Sequence, residues 1–200
     1  MSRDAPSVLI VPGLRDHSAE HWQTLLAAKL ATLRKVRTVP LFGRRHLSCG
    51  ERVRIIQHEL EAIAGPVILV AHSAGVIMLA HWAQWYQHAD IAGALLAAPA
   101  DLESPMPAGY PAVATLQAHG WLPVPRDRLP FPSIVAASSN DPLASLPRVE
   151  ELAHGWGSTC VHLGAVGHLN PAAGFGEWPL AEALIAQLDH PVLVQPPGQE

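Results

Sequence analysis

The sequence predicts an α/β protein, a three-layer sandwich built on a mostly or wholly parallel sheet of about six strands. Three observations lead there. Short apolar runs alternate with longer amphipathic stretches along the chain, the order expected of repeated β-α-β units. The chain has 200 residues, 49% of them hydrophobic, which suits one compact domain over residues 1–200 with a sizeable core. Neither an internal repeat nor a low-complexity linker interrupts the alternation.

The elements follow in order. Ser7 to Val11 reads as a strand closed by Pro12-Gly13. Ser18 to Leu33 spaces Trp22, Leu25, Leu26, Leu30 and Leu33 by threes and fours, one face of a helix with Lys29 at its border. Lys35 to Val39 is a second short strand. Glu51 to Ile63 sets Val53, Ile56, Leu60 and Ile63 on one helical face. After Pro66, Val67 to Val70 carries the most continuous strand signal in the chain, and a helix over Ser73 to Gln84 follows it. Strands are then expected at Ile91 to Ala98, Ser133 to Ser138 and Thr159 to Leu163. The last helices cover Ser145 to His154 and Trp178 to Leu188. Right-handed crossovers between parallel strands give a doubly wound sheet covered on both faces.

One segment breaks the rhythm. Asp101 to Pro132 holds seven prolines and one short helical candidate, Ala112 to His119. Two readings stand for it: a loop that flanks a pocket, and an irregular surface excursion.

Composition narrows the function. With 17 acidic and 13 basic residues the formal charge is −4, and no basic block offers nucleic acid a footing. Cys49 and Cys160 are the only cysteines, too few for a disulfide framework and not a CxxC pair. The opening MSRDAPSVLIVPGL lacks the positive start and long apolar stretch of a signal peptide, and no apolar window is long enough for a membrane span. The expectation is a soluble, cytoplasmic protein with no membrane partner. No His, Cys, Asp and Glu cluster has metal-ligand spacing, and neither G-x-G-x-x-G nor a phosphate-binding P-loop occurs, so no metal and no cofactor are expected.

The candidate chemistry centres on LVAHSAGV, Leu69 to Val76. Ser73 stands where a strand hands over to a helix, and by itself it reads equally as a helix-capping serine or as a nucleophile on a tight elbow. The stretch departs from G-x-S-x-G in having Ala71 at the first glycine position. A serine nucleophile needs a base, and the base needs an orienting acid. His168 follows the last strand in Gly164-Ala165-Val166-Gly167-His168. Asp141 follows the preceding strand in Ser138-Ser139-Asn140-Asp141-Pro142. All three fall at the carboxyl edge of the sheet, where open parallel sheets bind ligands, and in the order Ser, Asp, His of α/β-hydrolases.

Taken singly, Asp141 is a turn former and His168 a loop histidine; order and edge placement together favour the triad. The other histidines are placed less well. His72 adjoins Ser73, so its side chain is expected to point away. His81 and His88 lie on or near the helix after the elbow, and His162 lies inside a strand. His17 and His21 flank the first strand-helix connection, either lining the pocket or serving the local turn. Oxyanion donors are expected from the backbone N–H of Ala74, next after the serine, and of Leu14 in the loop after the first strand, with Arg15 as the near alternative. Loop position suggests Leu14, Arg15, Trp121, Leu143 and Leu169 as substrate-binding residues.

With these motifs in place, the chain resembles the small serine hydrolase family that includes the human retinoblastoma-binding-protein-type hydrolases and their bacterial relatives. The resemblance runs over nearly the whole chain. It rests on V-P-G-L-R with Ser18-x-x-His21-Trp22, on A-H-S-A-G, on L-P-F-P-S-I-V-A-A-S-S-N-D-P, and on G-x-x-G-H-L-N followed by G-F-G-E-W-P. It implies Ser73 as nucleophile, Asp141 as acid and His168 as base on a minimal α/β-hydrolase fold without a lid domain. The Ala-x-Ser-x-Gly form is compatible with the bacterial branch. The implied activity is hydrolysis of a carboxylic ester, or of an amide, of a small molecule through an acyl-enzyme. Two other readings stand beside it: a binding or regulatory module with little turnover, and an acyltransferase using the same triad. The human relatives bind a regulatory protein through a short motif, and nothing in this sequence carries that partner over.

Overall fold

The structure is a computed structural model and describes residues 5–15, 18–41, 43, 46–87 and 90–189. Six strands form one sheet: β1 (Ser7–Val11), β2 (Val36–Thr38), β3 (Val67–His72), β4 (Ile91–Ala97), β5 (Ser133–Ala137) and β6 (Thr159–His162). Their spatial order is β2-β1-β3-β4-β5-β6, and every neighbouring pair is parallel. The order steps outward from β1 in both directions, which is the doubly wound arrangement the alternation predicted.

Helices cover both faces, as a parallel sheet requires to bury its two apolar sides. On one face lie α1 (Trp22–Leu30) and α6 (Pro179–Asp189). On the other lie α2 (Cys49–Glu61), α3 (Ala74–Trp85), α4 (Val113–Ala118) and α5 (Leu146–Trp156). The central strands alternate between the two cores. Leu9, Val11, Leu69, Ala71, Leu96 and Val135 pack toward α2, α3 and α5. Val8, Ile10, Ile68, Val70, Leu95 and Ile134 pack toward α1 and α6. None of these residues is more than 6% exposed, so β3 reads as an unbroken apolar run because both of its faces are covered. Among the described residues, no helix is long and apolar enough to cross a membrane.

Element ends are set by caps. His21 accepts from the Gln23 N–H and starts α1 four residues later than the spacing predicts, at Trp22. That helix ends at Leu30, so Leu33 leaves the predicted face and is 74% exposed. Ser48 caps α2 and Ser145 caps α5 through their side-chain oxygens. Gly157, at φ 67°, closes α5 in the left-handed conformation. β2 is shorter than expected, yet the Val39 N–H still donates to the Ile10 carbonyl at 2.9 Å.

The Asp101 to Pro132 excursion is fastened rather than loose. Arg148 donates to Asp101 at 3.3 Å, and Arg126 donates to Glu103 at 2.7 Å. Trp121 is fully buried, with its indole N–H donating to the Leu47 carbonyl at 2.7 Å.

Candidate active site

Ser73 occupies the single residue between the end of β3 and the start of α3. Its backbone has φ 58° and ψ −129°, a conformation that costs a non-glycine residue about 1–3 kcal/mol and is held only where the surroundings impose it. Such a turn lifts the side chain off the strand edge, so the serine does not cap its own helix: Ser73 makes no side-chain capping bond to α3.

The small neighbours make the turn possible. A Cβ on Gly75 would lie 2.6 Å from the carbonyl oxygens of both Val11 and Pro12, so α3 packs directly on the end of β1. A Cβ on Gly13 would lie 3.1 Å from Ser73 Cβ, so the loop after β1 closes over the serine.

His168 comes from the loop after β6, and Asp141 from the loop after β5. Asp141 Oδ2 accepts from His168 Nδ1 at 2.7 Å, which leaves His168 Nε2 to accept from the Ser73 hydroxyl at 2.8 Å. All three sequence-selected residues therefore form one continuous hydrogen-bonded chain. Its supports are local. Asp141 Oδ1 accepts from the Leu143 N–H at 2.8 Å, and Asn140 Oδ1 accepts from the Gly167 N–H at 2.7 Å, tying the two loops together. Ser73 and His168 are buried at 9% and 6% exposure, which strengthens the hydrogen bonds between them.

The serine opens onto a cavity of about 260 Å³. Leu14, Arg15, Ala74 and Leu143 line it, together with Ala100, Leu102, Met106 and Tyr110. The excursion after β4 thus flanks the pocket. Ala74 is the first residue of α3, so its N–H has no acceptor within the helix and sits at the positive end of the helix dipole. Two predicted pocket residues lie elsewhere. Trp121 is in the core beneath α2 and α3. Leu169, at φ 48°, is fully buried on the α1 and α6 side, because the turn that presents His168 sends the next side chain the opposite way.

Three further residues support the site, of which sequence reasoning had raised only His21 as a pocket residue. His72 does turn to the α1 side, where its ring meets Trp22 with centroids 5.8 Å apart, but it lines the cavity and its Nε2–H donates to the His168 carbonyl at 2.9 Å. His21 both caps α1 and lines the cavity. Gln23 Nε2 donates to the carbonyls of Val11 and Val70, each at 3.2 Å, and so ties the ends of β1 and β3 that hold the site. The proximity of His21 and Gln23 to the Val-Pro-Gly turn was the available signal. His81 and His162 stand apart from the cavity, and His17 and His88 fall outside the described residues. Among the described residues, no group of three His, Cys, Asp or Glu side chains is placed to hold a metal ion.

A family model described as serine hydrolase matches residues 8–187. The chain belongs to the serine hydrolase family. Solved structures agree with the match. This serine hydrolase is 30% identical to a protein assigned as a YdeN-like hydrolase from Pectobacterium atrosepticum, with a TM-score of 0.77 over 92% of this chain and 91% of that one. The ydeN gene product of Bacillus subtilis is 16% identical, with a TM-score of 0.70 over 92% and 98% of the two chains. A thermophilic esterase from Thermogutta terrifontis is 14% identical, with a TM-score of 0.63 over 92% and 91%. Comparison with curated protein sequences finds no match. The serine hydrolase has a minimal α/β-hydrolase fold, with no lid domain among the described residues.

Proposed function

We propose that this hydrolase cleaves small carboxylic esters through an acyl-enzyme formed on Ser73. The observation that carries the reading is the unbroken chain Ser73–His168–Asp141, with bonds of 2.8 and 2.7 Å, at the wall of a cavity. His168 Nε2 takes the hydroxyl proton as Ser73 Oγ attacks the ester carbonyl. Asp141 holds the tautomer that makes Nε2 the acceptor and stabilises the imidazolium. The N–H groups of Leu14 and Ala74 receive the developing oxyanion. His168 then returns the proton to the leaving alcohol, and water, activated by the same imidazole, releases the acid. The choice of ester is made by analogy with the Thermogutta terrifontis esterase, which shares the fold. A site this completely assembled weighs against a module that only binds.

Labelling with a fluorophosphonate probe, followed by peptide mapping, tests the assignment. The folded protein is expected to label at Ser73. Heat-denatured protein and the Ser73→Ala variant are expected to remain unlabelled. Labelling that persists in folded Ser73→Ala protein, or an unlabelled wild-type protein that still hydrolyses esters, overturns it.

A further inference from the structure

Among the described residues, the cavity wall carries one residue with a permanent charge. Among its lining residues, Arg15 is the only lysine, arginine, aspartate or glutamate; the rest are apolar, neutral polar or histidine. Arg15 follows Leu14, whose N–H is assigned above to the oxyanion, so its cation stands one residue along the same loop. None of the ion pairs among the described residues includes Arg15.

The guanidinium is nevertheless held in place. Its carbon lies 3.8 Å from the centroid of the Tyr110 ring, and Nη2 donates to the Gly109 carbonyl at 2.8 Å. Gly109 is at φ 87°, and a Cβ there would approach Arg15 Nη2 to 3.2 Å, so both the backbone conformation and the space are suited to glycine. Gly109 and Tyr110 belong to the Pro-rich excursion after β4, which thereby supplies a seat for a side chain from the loop after β1. Stacking fixes the plane of the fork, and one of five N–H groups is used by Gly109. Among the described residues no other acceptor takes the remaining donors, which suit a planar, two-oxygen acceptor, the geometry a carboxylate offers.

We infer that Arg15, seated on Tyr110 and Gly109, is a carboxylate-binding residue of the site, and that the preferred substrates are small esters bearing a carboxylate a short spacer from the scissile carbonyl. The inference rests on the ester-hydrolase reading. Attraction of the carboxylate to the fixed fork orients the ester carbonyl toward Ser73 and the N–H groups of Leu14 and Ala74. Because the cavity is small, only a short spacer keeps both ends in place. The carboxylate can be carried on the acyl or on the alcohol side of the ester.

Two substrate pairs separate these sources. Mono-4-nitrophenyl glutarate against 4-nitrophenyl valerate places the charge on the acyl side. Acetoxybenzoate, the 4-isomer, against phenyl acetate places it on the alcohol side. For one pair, the anionic-to-neutral ratio of kcat/KM is expected to fall roughly 10- to 100-fold in Arg15→Gln, the span for losing hydrogen bonds to a charged group. The change is expected mainly in KM, with partial recovery in Arg15→Lys, which restores charge but not the fork. A ratio that stays within twofold for both pairs overturns the inference while leaving Ser73 chemistry intact.

A second measurement is independent of turnover. Monomethyl glutarate and 4-acetoxybenzoate are titrated by NMR into Ser73→Ala protein with and without Arg15→Gln. Weaker binding of either anion on loss of Arg15 supports the assignment, and equal binding of both defeats it. Failure of fluorophosphonate labelling at Ser73 strikes the ester-hydrolase reading instead, so the two failures are told apart.

Discussion

The Nε2–H of His72 donates to the carbonyl oxygen of His168 at 2.9 Å, and the two imidazole rings stand with centroids 4.8 Å apart. The residue before the serine therefore braces the backbone of the histidine that bonds to the serine. Since β3 is buried along its whole length, this bond refers the His168 loop to a core strand of the sheet. Replacing His72 by leucine removes the donor and frees that loop. The expected result is a kcat lower by roughly 10- to 100-fold, the cost of an error of about 1 Å in reacting geometry. KM should move little, the fluorophosphonate labelling rate should fall in parallel, and His72→Gln, which keeps an N–H, should recover part of the loss. Unchanged kcat in a folded His72→Leu protein refutes the bracing role.

The strained backbone at Ser73 gives a stability prediction that is separate from catalysis. Both Ser73→Ala and Ser73→Gly remove the hydroxyl, but only glycine relaxes at φ 58°. Ser73→Gly is expected to be more stable than Ser73→Ala by about 1 kcal/mol, at the low end of the strain range because glycine also gains freedom on unfolding. Urea denaturation of the two inactive variants checks it. A glycine variant that is the less stable of the two shows that the turn is unstrained.

The sheet and the hydrogen-bonded set Ser73, His168 and Asp141 were legible because both are written in local patterns and chain order. The apolar runs at β1, β3 and β5 are continuous, and Ser73, Asp141 and His168 each lie in the connection after a strand that ends at the same edge. What depended on long-range packing was not legible. Spacing placed Leu33 on a helical face, but a helix that stops at Leu30 no longer carries that face forward. Loop position alone could not distinguish Leu143, which lines the cavity, from Leu169 and Trp121, which enter the two cores. Tyr110 and Met106 sit in a segment without periodicity, and only the folded excursion brings them to Ser73. Gln23 reaches the site through the carbonyls of Val11 and Val70, a pairing across 12 and 47 residues that no local spacing records.

His81 predicts a pH dependence of stability. It is buried in α3, where desolvation holds its pKa below the ordinary 6.5, although its bond to the Trp121 carbonyl at 3.0 Å acts in the opposite sense. The unfolded chain takes up a proton near 6.5, whereas the folded chain takes it up only at lower pH. Stability from this residue is therefore complete above about pH 6.5 and is lost as pH falls from there through the folded-state value. In His81→Gln the difference in unfolding free energy between pH 7.5 and pH 5.5 should be smaller than in wild type. An equal difference in both proteins removes His81 as the source.

Thiol chemistry should separate the two cysteines. Cys49 is fully buried at the start of α2, and desolvation pushes its thiol up to about 12, with Arg52 opposing weakly. Cys160, on the edge strand β6, is half-buried and raised by burial and by the charge of Glu150. Since the thiolate is the reactive form, a disulfide reagent at pH 8 is expected to modify Cys160 slowly in native protein and Cys49 only after denaturant is added. Rapid modification of Cys49 in the native state would mean that the start of α2 opens locally.

Acyl length is set by the walls around Ser73. Leu14, Ala100, Leu102, Met106 and Leu143 make an apolar lining, but the cavity holds only about 260 Å³. Apolar contact rewards each methylene until the wall is reached; beyond that, a further methylene must displace packed side chains or remain in water. The kcat/KM for 4-nitrophenyl esters is expected to peak among short acyl groups and to fall roughly tenfold or more for dodecanoate, the scale on which hydrophobic pockets discriminate by size. Met106→Ala shortens an unbranched side chain on that wall and should move the optimum to longer chains, whereas Leu33→Ala, far from the cavity on an exposed turn, should leave it in place. A profile that rises through dodecanoate in the wild type would mean that the excursion carrying Met106 and Tyr110 moves aside to admit the chain.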